Sequence, residues 1–221
     1  TACVGSVTAP DFAERFVGTA VGQYKGLDIL VNNAGYTWDN VIQKMTDEQW
    51  YAMMDVHLTA PFRILRAAQP VIRGLAKAEA EAGKRTVRKV VNISSMAGIF
   101  GNAGQSNYSA AKAGVMGMTM TLAKEWGAHK INVNAVAFGF VETRLTQAKE
   151  KGETIEKDGE TIEIGVPEQM RSMAAMIIPL GRPAQPEEAA GPVLFLCSPL
   201  ANYVHGQVLN VTGGQFGGMF T

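Results

Sequence analysis

The stretch SSMAGIFGNAGQSNYSAAK, residues 94 to 112, holds Ser95, Tyr108 and Lys112, with Gly98, Gly101 and Gly104 between the serine and the tyrosine. A tyrosine and a lysine four apart share one face of a helix. A phenol titrates at roughly 10 when unperturbed, so it exchanges protons poorly at neutral pH unless a nearby cation stabilises its phenolate. Lys112 could supply that cation to Tyr108. A serine hydroxyl at the end of the preceding strand could donate to a carbonyl oxygen and polarise the carbon for attack. Taken alone, the Tyr-x-x-x-Lys spacing is better read as a surface pair.

A second group follows the apolar run LDILV, residues 27 to 31. It is NNAG, residues 32 to 35, in which the Asn32 and Asn33 amides can hold a turn while Ala34 and Gly35 let a flat ligand approach the backbone. A plain strand-ending turn fits it equally well.

Four β-branched runs are strand-like: LDILV (27 to 31), VRKVVNI (87 to 93), INVNAVA (131 to 137) and GQVLNV (206 to 211). Helical stretches lie between them, which points to a parallel sheet covered on both faces. The first helix should be capped by Thr8, carry Pro10 in its opening turn, bury Phe12, Phe16, Val17, Ala20, Val21 and Tyr24, and end at Lys25-Gly26. In the second, Thr46 and Gln49 have capping-box spacing and Trp50, Met53, Met54 and Leu58 form the buried face. It is expected to run past Pro61 with a kink. Residues 75 to 86 read as a charged, solvated helix end and loop. GETIEK and GETIEI flank Asp158-Gly159 and predict a hairpin, followed by a helix from Pro167 to about Ile177. Residues 144 to 178 thus form an insertion after a central strand, where an α/β enzyme places a substrate lid.

The 221 residues suit a single domain, 1 to 221. Twenty basic residues balance twenty acidic ones and charged residues make up only 18%, so a polybasic nucleic-acid binder is excluded. Cys3 and Cys197 form no CxxC motif, leaving no disulfide framework or metal site and fitting a cytoplasmic setting. Residues 189 to 221 lack charge, but Pro192, Pro199, Asn202, His205 and several glycines argue against a membrane span.

Together LDILVNNAG, NISSMAG, YSAAK with Ser95 thirteen residues before Tyr108, VNAVAFGFVET, IPLGRPAQPEEAAGPVLFLCSP and GQVLNVTGG resemble the short-chain dehydrogenase/reductase family over nearly the whole chain. The GNAGQSNYSAAKAG stretch is most similar to its 3-oxoacyl-thioester reductases. The resemblance implies a doubly wound, Rossmann-like parallel sheet and NAD- or NADP-dependent hydride transfer to a 3-oxoacyl thioester or related ketone, or the reverse. It implies Tyr108 as general acid, Ser95 as the group orienting the substrate oxygen, and Lys112 as the group that lowers the Tyr108 pKa and holds the nicotinamide ribose. Asn32, Ala34 and Gly35 would border the adenosine ribose, and Gly139, Val141 and Thr143 the nicotinamide and pyrophosphate. It also implies a homodimer or homotetramer, formed through the thin-skinned Tyr108 helix with Ala110, Ala111, Ala113, Gly114 and Gly117 and through the last strand, with the tail QFGGMFT crossing to a neighbour.

The sequence departs from that pattern in several places. It opens at Thr1 with TACVG, matching the family's third strand, so the fold is expected to be truncated at its N-terminus, without the strand, glycine-rich turn and helix that hold the pyrophosphate. Ser6 stands where an Asp usually touches adenine. The TACVG run is expected to slide into the vacant strand position, or a partner to cover it. His57 in VHLTAPF replaces an Asn that supports the proton relay. It either bonds a relay water and titrates near neutrality, or holds a purely structural bond. Phe138-Gly139 replaces Pro-Gly and would put a ring at the nicotinamide pocket, and Thr212 replaces an Asp. Two readings stand beside each other: an active oxidoreductase, and a cofactor-poor pseudoenzyme serving as a structural or regulatory subunit. A nucleotide-independent lyase or isomerase using Tyr108 is a third.

Overall fold

Four short apolar segments with both faces to bury form one parallel sheet. In the computed structural model, which describes residues 1–84, 86–157 and 159–215, these are β1 (Ile29–Asn32), β2 (Arg88–Ser95), β3 (Ile131–Phe138) and β6 (Val208–Val211), in the spatial order β1-β2-β3-β6. Alternation along the strands divides the core. Val90 and Val133 face a cluster built with helices α1 (Phe12–Tyr24), α3 (Ala60–Glu81) and α5 (Ser106–Trp126). Val91 and Val136 face the other way, onto Leu196 of α7 (Pro186–Cys197) and Ala201. Helices on both faces make the sheet doubly wound, in the Rossmann-like manner. The register Asn32↔Asn92 and Ser95↔Phe138 aligns the carboxyl ends of β1, β2 and β3, where such sheets carry their ligands.

Helix α2 (Asp47–Met54) starts with the Thr46–Gln49 capping box. Met53 is fully buried, and Trp50, Met54 and Leu58 are half-buried. The rod continues into α3 through a π-helical turn, Asp55–Thr59, and Pro61 sits in the first turn of α3. A proline there lacks an N–H that a helix start would leave unpaired in any case.

Several expectations are corrected. TACVG forms no strand, and no described residue pairs with the outer edge of β1. The segment is held over α1 instead, where Arg15 Nη1 donates to Val4 O at 3.0 Å, the Thr1 ammonium donates to Tyr24 Oη at 2.9 Å, and Cys3 and Val7 pack on the core. Tyr24 is consequently exposed rather than buried. Thr8 does not cap α1: Asp11 holds the N-cap position and Thr8 bonds Ser6. Residues 75 to 86 are not merely solvated either. Glu79 accepts two bonds from Arg88, at 2.7 and 2.9 Å, and Arg88 is 2% exposed.

After β3 the chain forms an antiparallel hairpin, β4 (Thr154–Lys157) with β5 (Glu160–Glu163), and then α6 (Glu168–Ile177). Asp158 and the tail beyond Gln215 lie outside the described residues. One more helical turn, α4 (Ala97–Phe100), links β2 to α5. No helix among the described residues is long and apolar enough to cross a membrane, and none of their His, Cys, Asp and Glu side chains cluster as a metal site.

Candidate active site

Ser95 ends β2, and Tyr108 and Lys112 face it from the first turns of α5. Close approach of helix and strand depends on Gly98. A Cβ there would lie 2.8 Å from the backbone N of Ala113 and the carbonyl carbon of Lys112. The start of α5 is fixed by Asn107, fully buried, whose Nδ2 donates to Trp38 O at 3.1 Å and Gln49 O at 2.9 Å while its Oδ1 accepts from the Tyr108 N–H at 2.7 Å. Ser94 Oγ donates to Lys112 O at 2.9 Å. A further buried chain crosses the sheet: Asn32 Nδ2 donates to Asn92 Oδ1 at 2.8 Å, and Asn92 Nδ2 to Thr119 Oγ1 at 2.9 Å. Asn32 therefore ties β1 to β2 rather than shaping a turn.

Lys112 is 5% exposed. Its ammonium donates to Ile93 O at 2.7 Å and lies 5.5 Å from the centre of the Tyr108 ring. Burial disfavours the charge and lowers its pKa to about 8. Burial also pushes the Tyr108 phenol up, a hydrogen bond with Ser95 draws it partly down, and the Asp39 charge raises it. The expected lowering by Lys112 is corrected: the influences on the phenol are burial, the Ser95 bond and the Asp39 charge, and their balance raises it.

His57 sits in the π-helical turn, 4% exposed, with Nε2 2.7 Å from Tyr36 O and its ring edge-on to Tyr108 at 4.9 Å. Burial, then the Lys112 charge, lower its pKa to about 3, opposed by the bond to Tyr36. The expected titration near neutrality is therefore corrected: the ring is neutral there. Gly35 makes room for it, since a Cβ at 35 would fall 2.2 Å from His57 Cε1.

Asn32, Asn33 and Ala34 border a groove of about 190 Å³, shared with Val7, Phe12, Val31 and Ile64 on the open side of β1. Beyond the next strand end, Gly139 lies against the Thr212 backbone, where a Cβ would come within 3.2 Å of Cα. Val141 bridges to Ala184, and the Thr143 N–H donates to Thr146 Oγ1 at 2.9 Å. Phe138 differs from expectation: it packs with Val136, Leu196 and Leu209 on the α7 side, because residue 138 shares the strand face of residue 136. Arg171 of α6 anchors the insertion to this strand exit, pairing with Glu142 at 3.0 Å and lying over the Phe140 ring.

Ser95, Tyr108, Lys112, His57 and Gly35 are thus one cluster, with Asn32 and Ala34 on one flank and Gly139, Val141 and Thr143 on the other. Sequence reasoning missed Asn107, Asn92 and Thr119. Polar residues at inward positions of a helix or strand were the signal available.

The site and fold can be set beside known proteins. A family model described as enoyl-(acyl carrier protein) reductase matches residues 1–215. The 3-oxoacyl-(acyl-carrier-protein) reductase of Vibrio cholerae is 38% identical over 211 residues, covering 96% of this chain and 75% of that protein. The Thermotoga maritima protein of the same name is 40% identical over 209 residues, covering 95% and 74%, and that of Synechocystis 37% over 211 residues, covering 95% and 73%. With these matches over nearly its whole length, on a doubly wound sheet carrying Ser95, Tyr108 and Lys112 at one strand end, the chain belongs to the short-chain dehydrogenase/reductase family of oxidoreductases.

Proposed function

We propose that this protein uses a nicotinamide cofactor, NAD or NADP, to reduce a 3-oxoacyl thioester or related ketone, and runs the reverse oxidation of the alcohol. The observation that carries this reading is the buried Lys112 ammonium, held by Ile93 O and lying over the Tyr108 ring at 5.5 Å from its centre, with Ser95 near enough to draw the Tyr108 pKa down. The relatives named as 3-oxoacyl-(acyl-carrier-protein) reductases support the substrate class.

When bound, the cofactor supplies the hydride that reaches the carbonyl carbon. The chain does the rest. Tyr108 gives its phenolic proton to the carbonyl oxygen, and Ser95 donates a hydrogen bond to the same oxygen as negative charge develops there. Lys112 stabilises the phenolate left behind. Asn32 and Ala34 fit the adenosine side of the cofactor because they border the groove beside β1 and only a methyl projects from Ala34, while Gly35 backs the same turn by admitting the His57 ring behind it. Gly139, Val141 and Thr143 fit its nicotinamide and pyrophosphate side. The Lys112 ammonium also holds ribose hydroxyls. The insertion at 144 to 178 acts as the lid over the substrate. We assign the protein to the cytoplasm, as a homodimer or homotetramer that binds neither nucleic acid nor membrane. Exposed Ala110, Ala113, Gly117 and Met120 on α5 support that assembly.

The test is a fluorescence titration of the purified chain with NADH and NADPH. Saturable micromolar binding is expected. No binding at millimolar nucleotide would favour the cofactor-poor subunit instead.

A further inference from the structure

Between the loop after β1 and the start of α5 stands a carboxylate to which the proposed reaction gives no task. That carboxylate, Asp39, is fixed in place. Gln105 Nε2 donates to its Oδ2 at 2.7 Å, and Gln105 Oε1 accepts from Asn102 Nδ2 at 3.0 Å. The residues on either side of Asp39 are tied to the same helix start: Trp38 O accepts from Asn107 Nδ2 at 3.1 Å, and the Asn40 N–H donates to Gly104 O at 2.8 Å. Gln105 stands three residues before Tyr108, the spacing of neighbours on one helix face. These bonds therefore set the carboxylate beside the proposed general acid, and its charge is among the influences on the Tyr108 phenol.

No described side chain pairs with that charge. Asp39 is exposed and forms no ion pair among the described residues, and its Oδ1 has no hydrogen-bond partner among them. Lys149 of the insertion acts on it electrostatically, but the Lys149 ammonium is paired with Glu163 at 3.2 Å. Glu142, at the exit of β3, is taken by Arg171 at 3.0 Å. The Lys112 ammonium is buried over the Tyr108 ring and bonded to Ile93 O.

A 3-oxoacyl thioester and a free 3-oxo acid present the same ketone and differ at C1, which is neutral in the thioester and a carboxylate in the acid. With the ketone between Ser95 and Tyr108, the acid would bring its carboxylate into the field of Asp39. Like charges brought together at a partly desolvated site repel, and an unpaired charge is a means of rejecting one ligand among close relatives.

Resting on the reading above that the substrate is a 3-oxoacyl thioester, we infer that Asp39 is a specificity-determining residue: its fixed negative charge rejects substrates with a free carboxylate beside the reacting ketone and leaves the site to neutral thioesters. Removing that charge leaves Lys112, protonated below about pH 8, as the charge nearest the ketone, which favours an anion.

The probes are acetoacetyl N-acetylcysteamine and acetoacetate, each with NADH and with NADPH. Wild type should favour the thioester. Asp39→Asn keeps the shape of the side chain and an oxygen for Gln105, and the ratio of the two kcat/KM values should fall about tenfold. The change should lie in the acetoacetate KM, since a charge at the rim acts on substrate and transition state alike. Asp39→Glu restores the charge and should bring the ratio back to within about twofold of wild type. Salt screens such an effect, so the wild-type ratio should also fall about threefold between about 0.02 and 0.5 M salt. An unchanged ratio in Asp39→Asn, or an equal loss in Asp39→Glu, would overturn the inference and leave the bond to Gln105 structural. Should Asp39→Asn fail to fold, the salt dependence of the wild-type ratio decides. Reduction of both compounds alike by wild type would defeat this inference alone, whereas reduction of neither would defeat the reading above and the inference with it.

Discussion

The two flanks of β2 are finished to different degrees. On the β3 side, eight residue pairs run in register, α5 packs across both strands, and the buried groups Asn107, Ser94 and Lys112 find backbone partners. On the β1 side only four pairs form, and no described residue pairs with the outer edge of β1, where Ile29 is 50% and Val31 38% exposed beside the groove lined by Val7 and Phe12. Ser95, Tyr108 and Lys112, the proposed acid–base cluster, belong to the first flank, and Asn32 and Ala34, proposed for the adenosine side, to the second. The residues proposed for proton transfer are therefore held by dense packing, whereas those proposed for the adenosine side have rigid backing on one side only. An unpaired apolar strand edge is a template for further pairing.

Substitutions on the two flanks should differ accordingly. The largest effect is expected from Gly98→Ala, which forces a methyl into the backbone of α5. A loss of up to about 3 kcal/mol in urea unfolding is anticipated, together with loss of activity as Tyr108 is displaced from Ser95. An unaltered protein would show that helix and strand are less closely packed than described.

A smaller effect of opposite sign should come from Lys112→Met. Burial lowers the Lys112 pKa to about 8, so between that value and its ordinary one the unfolded chain binds the extra proton and wild-type stability rises with pH. Below pH 8 the buried ammonium is a net burden. Its removal should therefore stabilise the chain by about 1–2 kcal/mol at pH 7, flatten the rise between pH 8 and 10, and abolish catalysis. Equal melting curves across that range would break the claim that the site trades stability for function.

The smallest effect should come from Val31→Lys at the open edge, no more than about 0.5 kcal/mol. A larger loss, or a change in molecular mass by light scattering, would mean that the edge is covered in solution and would remove the difference between the two flanks.

The sequence made the sheet and the cluster legible because both rest on local pattern. Val90, Val133 and Val136 lie in β-branched runs, the Thr46–Gln49 box is a four-residue signal, and Tyr108 and Lys112 share a helix face by spacing alone. What failed to show depends on contacts distant in sequence. TACVG has strand composition but meets Arg15 and α1. Glu79 looks solvated until Arg88 is seen folded beneath it. Phe138 packs toward α7 because of where β3 begins its alternation, and the neutrality of His57 follows from burial that no motif records. The π-helical turn that aims His57 has no sequence mark beyond the Pro61 that follows it.

The most direct test of the central claim compares wild type with Tyr108→Phe in NADPH-dependent reduction of a 3-oxoacyl thioester, with nucleotide affinity measured on the same samples. Removing the phenolic proton should lower kcat/KM by about 10²–10⁴ and leave nucleotide affinity and melting temperature unchanged. Turnover by Tyr108→Phe at the wild-type rate would contradict the account.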